Sequence, residues 1–301
     1  MNMQRRDFLN AGAAALAALP AHHSLLALSP LSLYAAARGV KFRVGVTDWN
    51  LRKTMKVEAV EMAKSLGFEG VQVSIGRAPR DVKIERLPLA DPELQKQYFA
   101  AAKRLDFPVA SLCLDILHQN GLKHDPLGQR WVAESIPIAK AFGVRVILLP
   151  FFGDRQIKQQ AEQDRVGDIL REVAPIAEKA GVILGLEDTI SARENVRIME
   201  RAKSPAVLTY YDVGNSTGQG YDVVEEIHWL GNKRICEVHL KDNPGYLGKG
   251  KIDFKAVIDA LAGIGYDKWA HLETDAPSGA VDADMKVNLG FVRNLIAARN
   301  A

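Results

Sequence analysis

Apolar positions along this chain fall into two alternating patterns. Lys41-Phe-Arg-Val-Gly-Val-Thr47 reads side to side with a period of two, as a half-buried strand does. Val57–Leu66 then places its apolar residues at helical spacing and stops at Gly67, a residue suited to the left-handed turn that ends a helix. The alternation recurs to the C-terminus. Gly70–Ser74, Val109–Cys113 and Val144–Leu149 read as strands two to four. Helices follow over Asp91–Leu105 (Asp91 at the N-cap, Pro92 after it), about Gly128–Phe142 and about Gln163–Ala180. The second half holds strands ending at Glu187, Asp212, His239 and Glu273. Its helices span Ser191–Ala202 with Ser191 and Glu194 as a capping box, Val223–Leu230, Phe254–Ile264 capped by Asp253, and Val281–Ala298. A Gly/Asn/Ser loop is expected directly after Asp212.

Strands alternating with helices argue parallel pairing and right-handed crossovers. Eight such units over residues 38–301, close to the ~250 residues of a complete barrel, favour a closed (β/α)8 TIM barrel over an open doubly wound sheet. No Gly-x-Gly-x-x-Gly follows the first strand and no Gly-Lys-Ser/Thr loop occurs, so a nucleotide-binding fold would lack its phosphate cradle.

The four strands of the second half share a second property: each ends on a residue type that binds metals. They read Val-Ile-Leu-Gly-Leu-Glu187, Val-Leu-Thr-Tyr-Tyr-Asp212, Ile-Cys-Glu-Val-His239 and Trp-Ala-His-Leu-Glu273. Strand alternation turns all four inward, and in a β/α barrel chemistry sits where strands end. Three acids gathered at one mouth repel one another unless a cation neutralises them. Oxygen-rich ligation with one imidazole suits Mn²⁺, Co²⁺ or Mg²⁺, and admits Zn²⁺. Taken singly, Asp212 would instead read as an ordinary helix cap.

Composition narrows the partners. The chain has 301 residues, 48% hydrophobic and 25% charged, with a net charge of +3 and no dense basic cluster beyond the N-terminus, so nothing calls for nucleic acid. The two cysteines, Cys113 and Cys236, lie in separate strand-like runs and read as buried thiols. At the N-terminus, Gln4-Arg5-Arg6-Asp7-Phe8-Leu9 precedes the mild apolar run Ala11–Leu19, and Ala35-Ala36-Ala37 offers a cleavage site. Residues 1–37 are therefore expected to be a twin-arginine leader, directing a folded protein through that export machinery to the periplasm.

The motifs Leu-Glu187-Asp188, Tyr211-Asp212-Val-Gly-Asn215, Val238-His239-Leu-Lys241-Asp242, Leu247-Gly-Lys-Gly-Lys-Ile-Asp253-Phe254 and Leu272-Glu273 resemble the xylose isomerase-like barrel superfamily. Among its branches the chain is similar to the sugar isomerases and epimerases, including tagatose and psicose 3-epimerases. The resemblance covers roughly residues 42–298. It implies that Glu187, Asp212, His239 and Glu273 hold one divalent ion, often Mn²⁺, and that Glu187 and Glu273 form the acid–base pair on opposite faces of a sugar. The chemistry is coherent: a divalent ion stabilises the enediolate formed next to a carbonyl, while one carboxylate removes the proton and another returns it. Two departures stand out. Asn215 occupies a position where the epimerases commonly have histidine, and the arginine expected beyond the strand-seven histidine is missing, leaving Lys241 as the nearest cation.

Other candidates follow from position. Asn215, Lys241, His118 and Trp49 are expected at the rim as substrate contacts, although Lys241 reads equally as a lysine ion-paired to a neighbouring acid. Phe151 and Phe152 serve either the substrate wall or the core. Alternation puts Glu237 and His271 two residues below His239 and Glu273, where they are expected to pair beneath the metal and orient its ligands. The resulting expectation is a metal-dependent isomerase or epimerase acting on a keto-sugar. Its competitors are a lyase or dehydratase on keto-glycosides or inososes and a non-catalytic sugar-binding barrel. An apurinic-site endonuclease would need more histidines and a basic face. Barrels of this kind often pair, which leaves a homo-oligomer open.

Overall fold

A computed structural model describes residues 39–79, 82–242 and 244–301; the leader expected over residues 1–37 lies outside the described residues. Eight parallel strands close into one barrel in chain order. They are β1 (Arg43–Thr47), β2 (Gly70–Ser74), β3 (Val109–Cys113), β4 (Val146–Pro150), β5 (Ile183–Glu187), β6 (Val207–Asp212), β7 (Ile235–Leu240) and β8 (Trp269–Leu272). The helices are α1 (Glu58–Leu66), α2 (Pro92–Leu105), α3 (Pro126–Phe142), α4 (Gln160–Ala180), α5 (Ala192–Ala202), α6 (Val213–Gly218), α7 (Val223–Arg234), α8 (Phe254–Gly263) and α9 (Val281–Asn300). No helix among the described residues is long and apolar enough to cross a membrane.

Local chemistry sets the boundaries. Asp91 accepts from the N–H groups of Glu93 and Leu94 at the start of α2, and Pro92 stands where a missing donor costs nothing. Ser191 and Glu194 close the expected capping box on α5. Gly67, Gly143 and Gly181 end α1, α3 and α4 in the left-handed conformation. The last of these turns explains a difference at β4. Val144 N–H bonds back to Ala139 O at 3.1 Å, so Val144 completes the end of α3 and the strand begins two residues later than its apolar run. Asp125 likewise starts α3 ahead of Gly128 by accepting from Leu127 N. A larger difference follows Asp212, where the expected loop is the short helix α6. Asp212 Oδ1 accepts from Gly214 N at 2.7 Å and Asn215 N at 2.9 Å, which nucleates that turn.

Strand residues pointing outward, among them Val46, Val71, Leu112, Ile147, Leu184 and Leu272, are fully buried against the helices. Each large aliphatic side chain so buried contributes ~1.5–3 kcal/mol. Inside the barrel a smaller apolar cluster of Cys113, Val146, Leu148, Tyr210 and Cys236 fills the middle. Both cysteines are free and buried, as their apolar runs suggest. Above this cluster the strands carry polar residues, and these form the site.

Candidate active site

Parallel register aligns the four metal-type residues. Asp212 pairs with His239 across β6 and β7, His239 with His271 across β7 and β8, and Glu187 closes β5. Glu273 lies one residue past β8, where its N–H bonds to Leu240 O at 3.1 Å. One ligand atom from each of Glu187, Asp212, His239 and Glu273 falls within 4.8 Å of all the others. From His239 Nδ1 the carboxylate oxygens of Glu187, Glu273 and Asp212 stand 2.7, 3.5 and 3.8 Å away.

The hydrogen bonds around His239 decide which ring nitrogen faces this cluster. Gln72 on β2 reaches across the barrel, and its Nε2 donates to Ser111 Oγ (3.0 Å) and Tyr210 Oη (3.1 Å). Its Oε1 is thereby left facing His239 Nε2 at 2.8 Å, so His239 carries its proton on Nε2 and turns the Nδ1 lone pair toward the three acids. Nδ1 and Glu187 Oε1, two acceptors 2.7 Å apart, need a shared cation or proton between them. Asp212 Oδ2 is buried and accepts no well-aligned hydrogen bond, although Lys241 Nζ lies 2.8 Å from it. Converging lone pairs, three gathered carboxylates and an O₃N donor set all fit a divalent ion held by Glu187, Asp212, His239 and Glu273.

Burial and neighbouring charge drive these acids apart. Glu187 is pushed up to about 8 by burial and then by the charge of Glu273. Burial also lifts Asp212 to about 7 against the pull of Lys241. Glu273 is only partly buried, its side chain 18% exposed, and the pull of His239 and of the Lys241 ammonium outweighs that burial and brings it down to about 2. Lys241 hydrogen-bonds to Glu273 Oε2 and is ion-paired to Asp212, which raises its pKa. It therefore occupies the ion-paired position that the sequence left open, while also lining the cavity above.

That cavity, of ≈ 640 Å³, opens over the strand ends. It brings together every residue expected at the rim: Trp49, His118, Asn215 and Lys241 line it with Glu187 and Glu273. Trp49 Nε1 donates to Glu273 Oε1 at 3.0 Å and so fixes one wall to the cluster. The phenylalanine pair divides. Phe151 is buried in the core, whereas Phe152 lines the cavity and stacks on His118 with ring centroids 6.1 Å apart. Burial, with Arg77 nearby, lowers the His118 pKa to about 4, so its imidazole is neutral at pH 7.

Beneath the cluster the arrangement differs from the expected one. Glu237 Oε2 does come within 3.6 Å of His271 Nδ1, but the hydrogen bond of His271 Nδ1 is to Tyr210 Oη at 3.0 Å. The hydrogen-bond partner of His239 on this side is Gln72, and His271 is linked to it by hydrogen bonds through Tyr210 and Gln72 as well as by an edge-on ring contact at 6.3 Å. Alternation within Gly70-Val-Gln-Val-Ser74 already pointed Gln72 inward, so an inward amide was a legible signal. What it bonds across the barrel was not. Gly45 makes room for this layer, because a Cβ there would sit 2.4 Å from His271 Cδ2. At the rim, buried Asp242 accepts from the N–H groups of Gly248 (3.1 Å) and Gly250 (2.9 Å), tying the glycine-rich loop to the end of β7.

The chain matches the family model of the xylose isomerase-like TIM barrel over residues 60–295, and it belongs to that family. A relative from Actinoplanes sp., 2-epi-5-epi-valiolone 7-phosphate 2-epimerase, is 26% identical over 232 residues, covering 73% of this chain and 82% of that protein. The D-psicose 3-epimerase of Clostridium cellulolyticum H10 with D-tagatose superposes with a TM-score of 0.70 at 17% identity, over 85% of this chain and 99% of the other. The IOLI protein with a bound zinc atom superposes with a TM-score of 0.66 at 17% identity, over 86% of this chain and 99% of the other.

Proposed function

We propose that this protein is a divalent-metal-dependent isomerase or epimerase of a keto-sugar or related carbohydrate, with Glu187, Asp212, His239 and Glu273 as metal ligands. The observation that carries the proposal is the convergence of these four residues within 4.8 Å at the floor of a cavity that Glu187 and Glu273 also line. Relatives that are sugar epimerases supply independent support. When bound, a divalent ion supplies Lewis-acid stabilisation of charge on a carbonyl oxygen.

The chain's own groups do the rest. Glu187 and Glu273 approach the cavity from β5 and from the end of β8, which lets one carboxylate oxygen take a proton from the carbon beside the carbonyl and the other return one. Trp49 holds Glu273 by its indole N–H while presenting ring surface to the cavity. His118 and Phe152 form an apolar face opposite, and neutral His118 can give or accept a hydrogen bond. Asn215 and Lys241 supply polar contacts for hydroxyls.

The test is metal content by elemental mass spectrometry on untagged wild type and His239→Ala, followed by incubation of the loaded protein with ketoses in D₂O. One divalent ion per chain, lost in the variant, with solvent deuterium appearing beside the carbonyl, is the expected result. Absence of metal after addition of Mn²⁺ or Co²⁺ would sink the reading, and an unsaturated product in place of an epimer would make the protein a lyase. We also propose, from Arg5-Arg6 and Ala35-Ala36-Ala37, that residues 1–37 direct export to the periplasm and that 38–301 is the single catalytic domain. The N-terminal residue of the mature protein, read after cell fractionation, tests this.

A further inference from the structure

The proposed reaction uses one end of the cavity, built on β5 to β8. The other end is built on β2 and β3 and holds a charge that the reaction does not use. Arg77, three residues past β2, lines the cavity together with Asp115 and His118. Its side chain is 51% exposed, and among the described residues its one ion pair is through Nε, 3.2 Å from Asp115 Oδ2. Asp115 is itself fixed, since its Oδ1 accepts from Gly76 N at 2.8 Å and its side chain is only 6% exposed. Anchoring an arginine by Nε leaves both Nη groups available, and among the described residues none bonds to them.

Charge is balanced at both ends, but hydrogen-bonding capacity is not. At the metal end, three carboxylates, the Lys241 ammonium and a divalent cation sum to zero. At the far end Asp115 offsets Arg77, but its two oxygens are engaged by Gly76 N and Arg77 Nε, and His118 stacks on Phe152. Among the described residues that line this half of the space, the forked end of Arg77 is thus the charged group with N–H donors left open. A planar guanidinium with two open N–H groups matches two oxygens of one anionic group, whereas a lone hydroxyl engages only one of them.

We propose that Arg77 is a specificity-determining residue that recognises an anionic group, a carboxylate or a phosphate ester, on the end of the substrate remote from the reacting carbonyl. The inference takes the cavity as the substrate site assigned under Proposed function and narrows the substrate to keto-sugar acids or keto-sugar phosphates. It departs from the free ketoses and oxidised glycosides that an exported enzyme would otherwise be expected to meet. Two open N–H groups on one wall give affinity for the charged group without touching the reacting carbon, so the effect falls on binding rather than on proton transfer.

The experiment is isothermal titration of the metal-loaded full chain with three polyols that cannot turn over: D-glucitol, D-glucitol 6-phosphate and D-gluconate. The wild type should bind one of the two anions about 10- to 100-fold more tightly than D-glucitol, and Arg77→Met should erase that preference while leaving D-glucitol affinity unchanged. Whichever anion shows the preference identifies the group. Equal binding of all three by the wild type overturns the proposal even if the variant fails to fold, and so does equal weakening of all three by Arg77→Met. Deuterium exchange on ketoses keeps the two readings apart. An anion preference without exchange on any ketose would leave Arg77 as an anion subsite and remove the isomerase reading. Exchange on neutral ketoses together with equal binding of all three polyols would do the reverse.

Discussion

Gln72 Oε1 accepts a hydrogen bond from His239 Nε2 at 2.8 Å, and these two residues come from β2 and β7, non-adjacent strands separated by β8 and β1 around the barrel. The amide is held in this orientation with its Nε2 donating to Ser111 and Tyr210, whose hydroxyl in turn reaches His271 Nδ1. Gln72 therefore selects the tautomer that presents Nδ1 to the acids. Gln72→Leu should weaken Mn²⁺ or Co²⁺ binding by about 10- to 100-fold, the usual cost of losing a residue that orients a metal ligand. Metal titration measures it, with circular dichroism to confirm the fold. Unchanged affinity would mean that the ring is oriented by packing against Tyr210, whose centroid is 4.6 Å away.

Lys241 stands between Asp212 and Glu273, where it neutralises acids that a metal ion would also neutralise. In Lys241→Met the stripped protein should melt lower than stripped wild type, because buried carboxylates are left facing one another. Loading with a divalent ion should recover most of the loss, so the gap in Tm between chelator-treated and loaded protein should widen. Calorimetry on both forms checks this, and an identical gap in the variant would place Lys241 outside the charge balance of the site.

Glu237 is buried below the cluster, and burial pushes its carboxyl up from 4.5 to about 8. Between those values the folded state holds a proton that the unfolded chain has released, so folding stability falls as pH rises across the window and levels off above it. Asp48 and Asp188, each raised to about 7 chiefly by burial, add to the same trend. Glu237→Gln should remove its share of the slope and be more stable than wild type at pH 9. Urea unfolding at pH 6 and pH 9 decides, and a variant with the wild-type slope would show that Glu237 is charged when folded.

Gly250 is a position where even a methyl group has no room, since a Cβ would sit 1.9 Å from Asp242 Oδ1. Gly250→Ala should displace the loop from the end of β7 and cost about 1–3 kcal/mol, as overpacking does. Gly290, within α9, has nothing within 4 Å of its would-be Cβ, so Gly290→Ala should be neutral or mildly stabilising. Comparing the two melting temperatures separates the close approach from a general effect of replacing glycine.

Much of this arrangement is legible in the chain because it depends on local rules. Strand and helix periods, the caps at Asp91, Ser191 and Asp253, and the glycine stops at Gly67, Gly143 and Gly181 are each settled within a few residues, so the barrel follows from the order of its units. Glu187, Asp212, His239 and Glu273 could be picked out for the same reason: a strand end and a period of two determine which way each points.

Tertiary structure decided everything that depends on which residues meet across the barrel. The Gln72–His239 bond joins positions 167 residues apart, and no local pattern encodes its register. The same holds for Tyr210 intervening between Glu237 and His271, for Trp49 donating to Glu273, and for Arg77 being held through Nε by Asp115. Helix α6 after Asp212 lies between the two cases, since a strand-end acid that caps a turn and an acid that faces a metal are the same residue type in sequence. Asp212 caps its turn with Oδ1 and joins the acid cluster with Oδ2, because closure of the barrel aims Oδ2 at His239 while Oδ1 stays with the backbone of its own turn.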